Sequence, residues 1–176
     1  MDLVRINTVA HADFKEAMDL YSVSFPVYEQ RRLEEQEQVM PEAGYHFNLL
    51  YEDEKFIGLL LFWQHDEFIY VEHFCTLPKL RGQGYGQRIL SELAKLGKTI
   101  ILEIDPPNDE LSLRRQRFYE RAGYVANEFG HVHPPYRAEY AGHALFVMSY
   151  PQPLSLAAYH SFNEYLRYKV MLYAEK

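Results

Sequence analysis

Three glycines stand within Arg81-Gly82-Gln83-Gly84-Tyr85-Gly86, between the strand-like run FIYVEHFCTL and the helix-like run GQRILSELAKLG. A residue without Cβ adopts positive φ at little cost and lets a ligand approach the main chain closely. Where such a loop opens a helix, its N–H groups point outward with the positive end of the helix dipole behind them, and the result is an anion site. The run departs from the dinucleotide fingerprint, which would need a further glycine at Gln87 or Ile89, and no Gly-Lys-Ser/Thr follows it as in a P-loop. A tight connection with incidental glycines is the competing reading. Glu72 and His73 lie side by side on the strand that feeds this loop, and alternation aims them at opposite faces, so only one of them would face a given site. Cys75, the only cysteine, forms no internal disulfide and reads as a small buried thiol before it reads as a nucleophile, because no base adjoins it. His131 and His133 are two apart on a Pro-rich loop with no carboxylate or cysteine at ligand spacing, which makes a poor zinc site, and no metal is expected.

The elements that must position these groups follow from periodicity. VRINTV (4–9) alternates like a half-buried strand, and residues 12–40 carry helical spacing through Phe14, Ala17, Leu20 and Tyr21, divided by Pro26. Three strands at 46–53, 55–64 and 67–77 are separated by hairpin-length spacers, which predicts antiparallel neighbours. An amphipathic helix through Ile89, Leu90 and Leu93 ends at Gly97 and leads to TIILEID (99–105), a β-α-β crossover whose two strands are parallel. PPND (106–109) breaks that strand and offers Asn108 or Asp109 as a cap for a helix running to Gly123. A strand, an irregular loop and the strand ALFVMSY follow, and after PQP (151–153) a last helix covers about 154–174. The fold class is mixed α/β, antiparallel first and parallel in the middle, with helices on both faces and one appended at the end. One domain spans 1–176, its core about 3–150.

With 176 residues, a net charge of −7 and a sequence pI near 5.6, the chain offers phosphate backbones no non-specific attraction, so nucleic acid is not an expected partner. No apolar run approaches the roughly 20 residues of a membrane span. The start MDLVRINTVAHADFK lacks the basic flank and apolar stretch of a signal peptide, and a cytoplasmic location without membrane attachment is expected.

The run FCTLPKLRGQGYGQRILSEL resembles the acyl-CoA-binding motif of the GNAT superfamily of N-acyltransferases, whose pattern of Arg or Gln, two residues, Gly, one residue and Gly or Ala is met by Arg81, Gly84 and Gly86. RRQRFYERAGY (114–124) is similar to the family's helix that carries Phe-Tyr and closes on Gly and an aromatic. SFPVYE (24–29), YVEHF (70–74) and a PPY loop (134–136) resemble a bacterial subset, and together the likeness covers about residues 3–150.

The resemblance implies acetyl-CoA as co-substrate, its pyrophosphate held by main-chain N–H groups of Arg81, Gly82, Gln83, Gly84, Tyr85, Gly86 and Gln87. It implies a pantetheine arm paired with Phe74, Cys75 and Thr76 where this strand splays from its neighbour. Transfer of an acetyl group to an amine needs the amine neutral, against an ordinary pKa of about 10.4, so a base is required near the acceptor and an acid near the thiolate. Glu72 is the first candidate for the base, because the family commonly has a carboxylate on this strand and because Glu in a strand interior is costly unless paired. His73 is the second. Tyr119 matches the family's tyrosine beside the departing thiolate. The acceptor groove falls to residues 24–32 and 131–140, with Glu29 facing a cationic acceptor and Tyr136 forming a wall. The implied function is an N-acetyltransferase acting on a primary amine of a small molecule or peptide by direct attack in a ternary complex. A non-catalytic acyl-CoA-binding module is the alternative. The final helix has an apolar side that would pack on the core or on a second copy, giving a possible homodimer.

Overall fold

A computed structural model describes residues 1–175. Seven strands, β1 (Asp2–Ile6), β2 (Tyr45–Glu52), β3 (Lys55–Gln64), β4 (Phe68–Thr76), β5 (Thr99–Ile104), β6 (Val125–His133) and β7 (His143–Tyr150), form one sheet in the order β1-β2-β3-β4-β5-β7-β6. β4 and β5 are parallel, as the crossover predicts, and every other neighbouring pair is antiparallel, which the hairpin spacers predict for β2, β3 and β4. The β2–β3 hairpin turns on Asp53 and Glu54, both at positive φ, the backbone that suits the right-handed twist of a two-residue connection.

Five helices cover the sheet: α1 (Phe14–Ser24), α2 (Leu33–Val39), α3 (Tyr85–Ala94), α4 (Glu110–Arg121) and α5 (Leu156–Tyr168). β3 reads LLLFW because it is buried on both sides, and its residues alternate between two cores. Leu59, Leu61 and Trp63 meet Phe14, Tyr21, Val39, Phe162 and Leu166 beneath α1, α2 and α5. Leu60 and Phe62 meet Ile89, Leu90, Leu93 and Tyr119 beneath α3 and α4. The apolar side of α5 is therefore spent on the chain's own core. Pro26 forces Phe25 into extended backbone and ends α1, and Asp109 caps α4 by accepting the Ser112 N–H at 2.7 Å. Among the described residues no helix is long and apolar enough to cross a membrane.

Most strand ends shift by one residue from the sequence reading, and two boundaries move further. β1 begins at Asp2 and ends at Ile6, not at residue 9. α5 stops at Tyr168, and Val170–Tyr173 tighten into a 3-10 turn that buries Val170 completely.

Two irregularities of β4 shape the site. Its pairing with β5 runs only from Phe68↔Thr99 to Val71↔Leu102. Beyond that β4 stays with β3 as far as Gly58↔Thr76 while β5 goes on with β7 to Ile104↔Phe146, so a slot opens between the two parallel strands. Within β4, His73 pairs with Leu61 but Val71 pairs with Phe62, so Glu72 is an extra residue, a β-bulge.

Candidate active site

Gly84 caps α3 in the left-handed region at φ 82°, and Gly82 adopts similar geometry at 77°. This turn leaves the N–H groups of Gly84, Tyr85, Gly86 and Gln87 without an acceptor among the described residues; Arg88 is the first to bond back, to the Gly84 carbonyl at 3.2 Å. A Cβ on Gly84 would meet nothing within 4 Å, so the glycine serves backbone conformation and approach from solvent. Gly86 differs: its Cβ would lie 2.9 Å from Phe118 Cζ, and its bareness lets α3 settle on α4. Four unpartnered donors at the positive end of a helix fit the diphosphate of an acyl-CoA. From there the slot leads inward past the main chain of Phe74, Cys75 and Thr76, which has no partner strand on the β5 side. Burial raises the Cys75 thiol to about 11, which removes it as a thiolate nucleophile at neutral pH.

A narrow pocket of about 50 Å³ sits at the slot, lined from one face by Glu29, His73 and Tyr136 and from the other by Arg115 of α4. Here the sequence reading of Glu72 and His73 is corrected. The bulge breaks the alternation, and both side chains point to the α1 side. The Glu72 side chain is fully buried: Oε1 accepts from Arg31 Nη2 at 2.7 Å and from Tyr136 Oη at 2.8 Å, and Oε2 accepts from Trp63 Nε1 at 2.9 Å. Burial pushes its pKa up, but the Arg31 charge and the two neutral donors outweigh it and hold the carboxyl below its usual range. With both oxygens engaged, Glu72 is a poor base. His73 is buried against the edges of Tyr21 and Phe25. Its Nε2 must carry the proton, because it lies 2.9 Å from the Glu29 carbonyl, which only accepts. Burial lowers its pKa to about 4, so it is a neutral donor holding the Glu29 turn.

Glu29 itself ends a 3-10 turn, Val27–Glu29, that follows Pro26. Its carboxylate is 22% exposed and lies 3.8 Å from His143 Nε2. Burial first, and then the charge of Asp105, push its pKa up to about 7. Tyr28 and Tyr140 meet edge-on at 6.1 Å above it, both about a third exposed. Across the pocket Glu103 is buried, bonded to His131 and to Tyr70 Oη at 2.5 Å, with His133 Nε2 at 3.8 Å. Burial raises its pKa, yet the neighbouring His133 and His131 hold it below the usual range. Asp105 pairs with Arg115, while Arg114, Arg117 and Arg121 are exposed along α4. Acids outnumber the fixed cations here: Glu29, Glu72, Glu103 and Asp105 line the pocket, against Arg115 in its lining and Arg31 behind Glu72.

Tyr119 lies on the other face, on the inner side of α4, where burial raises its phenol to about 12. It stays protonated at neutral pH. The two histidines at 131 and 133 both lie against Glu103. Glu103, Asp105, His143 and Arg31 were not singled out from sequence. Glu103 left a signal, a lone acid in the otherwise apolar strand TIILEI.

Comparison with known proteins supports one origin for this arrangement. The chain is 31% identical over 99 residues to the Bacillus subtilis (strain 168) protein YjbC, a stretch that is 55% of this chain and about half the length of that curated relative. A GNAT-family structure from Bacteroides thetaiotaomicron matches with TM-score 0.90 and 32% identity, over 97% of this chain and 98% of its own. An aminoglycoside 6'-N-acetyltransferase solved with coenzyme A shares the fold at TM-score 0.59 and 16% identity, over 85% and 96% of the two chains. The acetyltransferase (GNAT) family model matches residues 14–124. That stretch runs from α1 to the end of α4 and contains the glycine turn, the bulge and both walls of the slot, and so this chain belongs to the acetyltransferase (GNAT) family.

Proposed function

We propose that the protein transfers the acetyl group of acetyl-CoA to a primary amine of a small molecule or peptide, by direct attack within a ternary complex. The observation that carries this reading is the slot between β4 and β5, which joins a turn of four unpartnered N–H groups on one face to an acidic pocket on the other. Two reactants entering from opposite faces meet in it without a covalent relay, which is the advantage of holding them in one geometry.

Gly84, Tyr85, Gly86 and Gln87 hold the diphosphate through their N–H groups, and Phe74 to Thr76 pair with the pantetheine arm. Bound there, acetyl-CoA supplies an activated acyl carbon and a thiolate leaving group. Glu29 takes the role first given to Glu72: it is partly exposed, lines the pocket and has a pKa of about 7, near the value at which a general base works best. It accepts the proton of the acceptor ammonium, directly or through one water. The Tyr119 hydroxyl donates a hydrogen bond to the sulfur as negative charge develops there.

Release of free thiol from acetyl-CoA in the presence of an amine panel tests the proposal. A second reading, an acyl-CoA-binding module without turnover, is favoured by the engagement of Glu72, Glu103 and Asp105 in internal pairs. Saturable coenzyme A binding with no thiol release from any amine would establish that reading and end the first.

A further inference from the structure

The loops that build the acceptor side are tied less to the sheet than to the six residues Val170–Glu175 that follow α5. Arg31, whose side chain is 1% exposed, donates Nη1 to the Tyr173 carbonyl at 2.8 Å and Nη2 to the Val170 carbonyl at 3.1 Å, while the same Nη2 holds Glu72. The Arg31 guanidinium also lies 4.9 Å over the Tyr136 ring. On the other loop, the Glu175 N–H donates to the Tyr136 carbonyl at 3.0 Å, and Glu175 Oε2 accepts from the Ala138 N–H at 3.2 Å. The same carboxylate takes Arg32 Nε at 3.1 Å, and Arg32 reaches on to Glu139 at 3.0 Å. Lys169 and the Tyr173 hydroxyl anchor the segment itself to Glu42.

These contacts converge on two places. One is the Glu29 turn, two residues before Arg31, and the other is the Tyr136 wall. None of them runs to the glycine turn or to α3. The family match ends at residue 124, so the segment lies outside it.

We propose that Val170–Glu175 is a positioning element of the acceptor pocket, fixing the Glu29 turn through Arg31 and Arg32 and the Tyr136 loop through Glu175, and thereby setting acceptor affinity independently of coenzyme A. The proposal rests on the acyltransfer reading for its kinetic consequence, but its structural content is read separately. Glu175 is the residue to change, because its side chain is 32% exposed and its loss leaves no buried charge.

Glu175→Ala removes the acceptor for the Ala138 N–H. The acceptor KM is expected to rise about 3- to 10-fold, the scale of one lost hydrogen bond, with kcat and the Kd for coenzyme A unchanged. Glu175→Gln keeps an oxygen for Ala138 and restores most of the loss. Amide hydrogen exchange in the same variants gives a readout free of turnover: Ala138, Tyr140, Glu29 and Gln30 should exchange several-fold faster in Glu175→Ala, while the amides of α3 stay protected. Wild-type exchange at those four amides overturns the proposal, and so does a loss of coenzyme A affinity equal to that for the acceptor. If no amine turns over, the acyltransfer reading fails and exchange alone decides the positioning claim.

Discussion

At the scale of single residues, two carboxylates close together meet opposite fates, and environment decides which one is available. Glu72 is enclosed with a guanidinium and two neutral donors, while Glu29 is half-shielded beside another acid. Glu29→Gln is expected to lower kcat roughly 10²- to 10⁴-fold, the usual worth of a positioned base, and to abolish the rise in kcat/KM that wild type shows as pH climbs through about 7. The sign of the stability effect is opposite. A carboxyl whose folded pKa is raised contributes stability below its unfolded value of about 4.3 and loses it as pH rises through about 7. Glu29→Gln should therefore raise Tm at pH 8 and leave it little changed at pH 4, which thermal melts at the two pH values would check. Arg31→Ala leaves Glu72 buried without its counter-charge, and a loss of about 3–5 kcal/mol is expected in urea unfolding at pH 7. Because the Glu72 pKa is depressed, that loss should shrink in acid, as the carboxylate becomes protonated. Tyr119→Phe should lower kcat without changing coenzyme A affinity, since the phenol donates only to the developing thiolate; unchanged turnover would remove it from the reaction.

At the scale of elements, the helix start at Gly84 and the helix contact at Gly86 separate two uses of one glycine run. Gly84→Ala forces a Cβ into left-handed backbone at a cost of about 1–2 kcal/mol and crowds the approach to the N–H groups, so a coenzyme A titration by calorimetry should show weakened binding in a protein that still melts cooperatively. Gly86→Ala drives a methyl into Phe118 and should lower Tm first, with binding affected through displacement of α3. Much at this scale was legible in the sequence. The β-α-β crossover, the Asp109 cap and the turn at Pro26 all announce themselves through local chemistry. The bulge did not, because alternation is read one strand at a time and Glu72 is extra only relative to Leu61 and Phe62 on β3. That single insertion turned an expected choice between Glu72 and His73 into a pair that jointly grips the Glu29–Arg31 loop. Nor could Arg31 be picked from the charged run EQRR, since its burial depends on carbonyls 139 and 142 residues away.

At the scale of the whole molecule, the sheet divides the interior into two cores joined at the slot, and the proposed reading puts the cofactor on one side and the acceptor on the other. Coenzyme A at 100 times its Kd is expected to stabilise the fold by about 2.7 kcal/mol, roughly 5–10 °C in Tm for a chain of this size, and the shift should vanish in a variant that has lost the glycine turn. Scanning calorimetry across a coenzyme A series measures it. The apolar side of α5 closes the first core through Phe162 and Leu166, one of the two placements its sequence allows.

The extra residue in β4 also decides what a one-residue deletion in that strand would do. A three-nucleotide deletion at Glu72 would restore regular alternation, with Val71 still opposite Phe62 and His73 still opposite Leu61, but it would strand the Arg31 guanidinium without its carboxylate. The irregularity is thus how a sheet of otherwise ordinary pleat admits a buried ion pair without turning any apolar side chain out of its core.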